Sequence, residues 1–414
     1  MSFIGKSALG LATAVAALSG SAAVAGCGIE AGSVRILGND FGAIHAVVDR
    51  ATECAGDGVT VESNLTTEHD DLAVAALTAN PAQYTVAIVA NASLVPLLNA
   101  DLVRPLDDLI GKYGQDLSKT QLITVGGKVM AVAFMANAQH LYYRKDILDA
   151  AGVAAPTTYE EVVAAAKAIE EKGIMDNPFA MNTKTGWNLA EEFVNMYLGY
   201  GGEFFKPGTA EASIDNEAGL KTLETLKALT ELSNPDFLTF DSNATAALWE
   251  SGNLALATMW GSRGGPILDN EGSTPEIVGN TVLTGAPTVG GGTTPATTLW
   301  WDGFTIAKNV SDEDAEASFI AMLHGVSPGV LDGNEEKAVW LVEGYQPTPA
   351  AAGVAASAQA GAKPYPMIPY MGLLHTALGD ELSDFLQGKE SAEQALADIQ
   401  AAYTTAAKEQ GFLK

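Results

Sequence analysis

The fold is decided by "SVRILGNDFGAIHAVVDRATECAGDGVTVESNLTTEHDDLAVAALTANPAQYTVAIVAN", residues 33–91. Three short runs rich in β-formers, at 33–37, 59–65 and 84–90, alternate with two amphipathic stretches, "AIHAVVDRATECA" and "HDDLAVAALTAN". Strands separated by helix-length amphipathic segments make a βαβαβ unit, which requires a parallel sheet with helices packed on it. In such sheets ligands sit beyond the carboxyl ends of the strands. Those ends carry Asn39-Asp40-Phe41, Thr66-Thr67-Glu68-His69 and Asn91-Ala92-Ser93. Asn39, Asp40, Phe41, Thr67, Glu68 and Asn91 are therefore candidate ligand contacts, although an acid at a helix start also serves as a cap. The turn "GNDFGA" lacks the glycine spacing that lets a backbone approach a pyrophosphate, and no GxxxxGK[ST] loop occurs. Nucleotide binding is not expected.

Upstream, "MSFIGKSALGLATAVAALSGSAAVAGCG" has one Lys6, an apolar run from Ala8 to Leu18, and small residues ending Ala23-Val24-Ala25. This is the pattern of a secretory signal peptide over 1–25, and the run is too short to span a bilayer. Val24-Ala25-Gly26-Cys27 also fits a lipobox, in which Cys27 would carry a lipid anchor. The second cysteine, Cys54, offers the other reading. Cys27 precedes the first strand and Cys54 ends the helix after it, a there-and-back path that returns the chain near its start, and an exported protein folds in an oxidising compartment. The expectation is a Cys27–Cys54 disulfide in a periplasmic protein, with lipidation as the alternative.

Charge narrows the class further. Asp and Glu number 50 against 22 Lys and Arg, a net charge of -28, which disfavours nucleic acid and anionic membranes as partners. The acids are scattered rather than blocked, as solubility requires. The 414 residues, 47% of them hydrophobic, allow two or three domains.

Beyond the second strand-rich stretch, "GGKVMAVAFMANAQHLYYRKDIL", helical patterns dominate, with capping spacing at Thr158/Glu161, Ser311/Asp314 and Ser391/Gln394. Strands return near 281–284 and 298–306, as expected if the chain crosses between two lobes more than once.

Four stretches together resemble the extracellular solute-binding proteins of bacterial ABC importers, of the maltose-binding-protein-like class. They are "LYYRKDILDAAGVAAPTTYEEVVAAAKAI", "ALWESGNLALATMWGS", "GFTIAKNVSDEDAEASFIAMLHGVS" and "LSDFLQGKESAEQALADIQAAY". The resemblance implies an α/β fold of two hinge-connected lobes with a ligand cleft between them. By analogy the N-terminal lobe takes 26–136 plus 302–344 and the C-terminal lobe 137–301 plus 345–414. It implies a small-molecule solute delivered to the membrane permease subunits of an ABC importer by a monomer, with no cofactor, no metal and no catalytic residue.

The crossing strand then contains "TLWWDGFTIAK", residues 298–308. Neighbouring side chains on a strand point to opposite faces, so one core cannot take both Trp300 and Trp301. Sugars present apolar C–H faces that stack on aromatic planes and hydroxyls that need directional partners. Trp187, Trp260, Arg263, Trp300, Trp301 and Asp302 fit that chemistry, joined by Asn137 on the first crossing and Tyr370 in a Pro-rich loop. Trp249 and Trp340 lie in helix-like apolar settings and read as core. Aromatic rings with Asp40, Glu68 and Asp302 would also suit a cationic solute such as a polyamine or quaternary amine. The tyrosine pair Tyr142-Tyr143 leaves a small place for iron. A secreted carbohydrate-active enzyme would need a carboxylate pair at fixed separation, and no residues single one out; HExxH and SxxK motifs are absent.

Overall fold

The computed structural model describes residues 27–414, so the signal-peptide stretch 1–25 lies outside the described residues. Twelve strands form two sheets: β1 (Gly32–Gly38), β2 (Val59–Leu65), β3 (Val86–Ala90), β4 (Leu122–Val125), β5 (Lys128–Asn137), β6 (Gln139–Arg144), β7 (Phe179–Ala180), β8 (Leu256–Trp260), β9 (Thr281–Thr284), β10 (Thr298–Ile306), β11 (Val339–Trp340) and β12 (Lys363–Pro364). The first sheet runs β11-β5-β10-β3-β1-β2, with β4 paired to β5 and β12 to β10; the second runs β7-β8-β6-β9. The expected βαβαβ unit is present, since β1 pairs in parallel with both β2 and β3.

Alternation along β1 and β3 sends apolar side chains to both faces of the sheet. Val34, Ile36, Val86 and Ile88 enter one core with the helices Gly42–Thr52 and Asp312–Gly325. Leu37, Ala87 and Val89 enter a separate core with the helices His69–Thr78 and Asn91–Asn99. A parallel sheet covered on both faces needs apolar residues at every position.

The chain leaves the first sheet at Asn137, the end of β5, and enters the second at Gln139, the start of β6. The second sheet lies against a larger core built by the helices Tyr159–Glu171, Trp187–Gly199, Glu217–Thr230, Met371–Leu386 and Ala392–Glu409. Of the three capping pairs, only Thr158 and Glu161 form the reciprocal box; each donates a backbone N–H to the other's side-chain oxygen, at 3.2 and 3.1 Å. Ser311 and Ser391 accept from Asp314 and Gln394, but no return bond forms. Asp314 instead accepts from the backbone N–H of Ser33 at 2.8 Å and sits 3.7 Å from Arg35, tying its helix to β1.

Cys27 and Cys54 form a disulfide, which leaves no free thiol at Cys27 for acylation. His324 lies within 4.8 Å of both sulfurs, yet bonded sulfurs offer no thiolate to a metal. Among the described residues no helix is long and apolar enough to cross a membrane.

Candidate functional site

β10 passes from one core to the other within a few residues. Phe304 and Ile306 pack in the first-sheet core with β1 and β3, whereas Trp300 packs in the core of the second lobe. Trp301, on the opposite face, is partly buried against the helix Asn91–Asn99 side of the first sheet. The two indoles are thus divided between two cores, as strand alternation demands. Gly303 follows from the same geometry. A Cβ there would stand 2.5 Å from the carbonyl oxygen of Val132, so only glycine lets β10 lie this close to β5, at the register shift between Asp302 and Gly303.

Trp300 is the floor of an aromatic group. Its ring centroid lies 5.5 Å from that of Trp187 and 5.9 Å from that of Trp260, edge-on to both, and 4.4 Å from Tyr365. Trp187 and Trp260 stack on each other at 6.3 Å. Trp300 is buried and Trp260 partly buried, but Trp187 is 42% exposed, an unusual state for so large an apolar side chain.

Trp187 is held from below. It opens the helix Trp187–Gly199 directly after Gly186, whose φ of 96° is a left-handed conformation suited to glycine. His375 accepts from Tyr365 Oη on Nδ1 (3.0 Å) and donates from Nε2 to the Trp187 carbonyl (2.9 Å). Those partners fix its tautomer, and burial pushes its pKa down to about 4, so the ring is neutral near pH 7.

Facing the first sheet, Asp302 pairs with Ala90 at the carboxyl end of β3. Among the described residues no group donates a hydrogen bond to its carboxylate, which is partly buried. Burial pushes its pKa up to about 7; the nearby His69 opposes this and Asp70 adds to it. His69 in turn sits 3.0 Å from Asp70, and its Nδ1 is buried without a partner. Burial alone would lower the His69 pKa, but the hydrogen bond and charge of Asp70 carry it above its ordinary value.

The remaining candidates divide sharply. Asn39, Asp40, Phe41, Thr67 and Glu68 stand at the ends of β1 and β2, but Asn39 accepts from the Asp40 backbone, Asp40 pairs with His45 at 2.6 Å, and Phe41 packs on the first core. Thr67 and Glu68 are exposed. Asn91 and Asn137 are buried and engaged with the backbone. Asn91 Oδ1 accepts from Trp301 N–H (2.9 Å), and Asn137 Oδ1 accepts from Ala138 and Ser262 N–H (3.0 and 3.2 Å). Arg263 turns to Ser242 at 2.8 Å, with its Nε buried and unpartnered. Tyr370 donates to the Thr209 carbonyl at 2.7 Å and packs on Phe205 and Phe412, away from the indoles. Trp249 and Trp340 are core, as read, and Tyr142 is fully buried with its hydroxyl on the Trp260 carbonyl. Sequence reasoning missed Tyr365, His375 and the buried acids Glu191 and Glu192. The acids carried a signal, because "NLAEEFVNMYLG" sets two carboxylates in an otherwise apolar helix.

The profile of the bacterial extracellular solute-binding proteins matches residues 38–324, more than half of the chain. The chain belongs to this family. A curated relative of this solute-binding protein from Deinococcus radiodurans, named "Probable ABC transporter-binding protein", is 27% identical over 199 residues, 43% of this chain and 47% of the relative. The match therefore spans about half the relative's length. Among solved structures, maltose-bound MalE3 of T. maritima superposes with a TM-score of 0.79 at 19% identity, covering 91% of this chain and 100% of that one. A solute-binding protein of Agrobacterium radiobacter K84 in complex with ribitol gives 0.78 at 20% identity, covering 91% and 98%. These likenesses establish the two-lobe α/β fold of the solute-binding protein.

Proposed function

We propose that this solute-binding protein takes a carbohydrate-type solute, a sugar, glycoside or polyol, into the cleft between its lobes and hands it to the permease subunits of an ABC importer. The observation that carries the reading is the convergence of Trp187, Trp260 and Trp300, with Asp302, two residues further along the same strand as Trp300, receiving no hydrogen bond among the described residues. The accessible parts of Trp187 and Trp260 suit C–H faces, and a free carboxylate suits hydroxyls. The solutes of similarly folded proteins, maltose, ribitol and D-mannitol among them, are of this class. The lobes divide at 136/137, 301/302 and 344/345, a division supported at its first boundary by the passage of β5 into β6. The protein binds without turnover. A thermal-shift panel of saccharides, polyols and amines tests the reading, since a solute bound only by the folded state adds about 2.7 kcal/mol at one hundred times its dissociation constant. Stabilisation by amines alone would assign a cationic solute, and hydrolysis of a glycoside would assign an enzyme.

Two variants sharpen the site. Trp187→Ala is expected to weaken solute binding by about 1–3 kcal/mol by calorimetry, as for an aromatic anchor, with a smaller loss of stability than a fully buried indole would cause, because the residue is 42% exposed. Unchanged affinity would remove Trp187 from the site. Asp302 carries the pH dependence. Below about pH 7 its carboxyl keeps its proton, and above it the ionised oxygens accept stronger, charge-assisted bonds from hydroxyls. Affinity should rise as the pH passes upward through about 7, and the rise should vanish in Asp302→Asn. A flat profile in the unaltered protein would contradict the role.

A further inference from the structure

Beneath the indoles the second lobe holds a carboxyl group that the solute cannot reach. Glu191 is fully buried one turn into the helix that Trp187 opens, and its Oε1 accepts from Trp300 Nε1 at 3.0 Å. The same indole N–H also reaches Thr298 Oγ1 at 2.7 Å, and that hydroxyl lies within hydrogen-bond distance of Glu191 Oε1 as well. Asn195, on the same helix, accepts from the Thr298 backbone N–H at 2.7 Å. The helix thereby grips β10 at Thr298 and Trp300, while from the first lobe Asn91 grips it at Trp301. A buried carboxyl with an unpartnered Oε2 is expensive to keep, and an apolar side chain would fill the volume at less cost.

We propose that Glu191 is the positioning residue of the aromatic platform: its Oε1 fixes the rotation of the Trp300 indole and ties it to the crossing strand through Thr298. The inference rests on the proposed solute site, of which Trp300 is the floor. An indole has a single donor, and with its Cβ anchored on the strand a held N–H restrains the rotation of the ring, and with it the surface on which Trp187 and Trp260 lean. The groups around the carboxyl are Glu192 on its own helix and Tyr365 after β12; His375 packs on Tyr365 with ring centroids 5.8 Å apart, and Tyr159 faces Glu192 in turn. Among the described residues no lysine or arginine compensates Glu191, and burial pushes its pKa up to about 8 against the bonds from Thr298 and Trp300. At neutral pH it is a neutral acceptor.

The test uses solute-free protein, so it stands apart from the question of what the cleft binds. Glu191→Leu removes the acceptor at similar size, and Glu191→Gln keeps a carbonyl oxygen. Glu191→Leu should lose near-UV ellipticity from the indoles, Glu191→Gln should restore it, and in a Trp300→Phe background the leucine should cause no further loss. In the unaltered protein the indole signal should titrate with a midpoint near pH 8, and in Glu191→Gln it should be flat. This second measurement serves if the leucine variant does not fold. An equal signal in all three proteins, a loss that persists without Trp300, or the same titration in Glu191→Gln would overturn the assignment. Solute affinity in Trp300→Phe alone reports on the site itself.

Discussion

Trp300→Ala is expected to lower the folding stability of the second lobe by about 3–5 kcal/mol, the loss for a buried large aromatic replaced by alanine. The indole is only 6% exposed and sits among Trp187, Trp260 and Tyr365, so its removal leaves a cavity that neighbours fixed from several elements cannot close. The same change strips Glu191 Oε1 of its indole donor, leaving a buried carboxyl with poorer company. Trp301→Ala should cost less, since its ring is only partly buried against the first sheet and its backbone bond to Asn91 survives. Chemical denaturation followed by far-UV circular dichroism, with calorimetry on the solute found by the panel, separates the effects. Trp300→Ala should lose both stability and affinity. A stability within about 1 kcal/mol of the unaltered protein would mean that the cavity collapses and that Trp300 is no floor.

Much of this arrangement is legible in the sequence because local rules decide it. Alternation in "TLWWDGFTIAK" forces the two indoles apart, and the strand–helix rhythm of 33–91 produces the parallel sheet. Which polar residues stay free was not legible, since that depends on partners distant in the chain. Asn91 is engaged by residue 301, Asn137 by residue 262 and Tyr370 by residue 209. Among the described residues no such partner reaches the carboxylate of Asp302. His375 was invisible for a related reason. Its role comes from lying between Tyr365 and the backbone of Trp187, 188 residues away, and no spacing in "GLLHTAL" announces that. Glu191 and Glu192 could have been noticed as misplaced acids, but their partners could not have been named.

Breaking the Cys27–Cys54 bond should cost the first lobe about 3–4 kcal/mol. The bond spans 27 residues of sequence, and closing a loop of that length removes this much chain entropy from the unfolded state at 25 °C. The enclosed segment is β1 and the helix Gly42–Thr52, the strand and helix that begin the parallel sheet, so the cross-link constrains the element on which β2 and β3 assemble. Cys54 is fully buried among Val34, Ile44 and Val47, and Cys54→Ala also loses part of that packing. The loss should be confined. Trp187, Trp249, Trp260 and Trp300 report on the second lobe, whose cores share no residue with the first-sheet core around Cys54, whereas Trp340 belongs to that core and Trp301 packs on the other face of the same sheet. Reduction, or the double change Cys27→Ser with Cys54→Ala, should therefore lower one unfolding transition and leave the tryptophan platform and its solute affinity nearly unchanged. A thiol assay on denatured, unreduced protein should find no free cysteine. Two titratable thiols would remove the cross-link, and a uniform fall of both transitions would show that the lobes unfold as one unit, with the disulfide stabilising the hinge strands as well as β1.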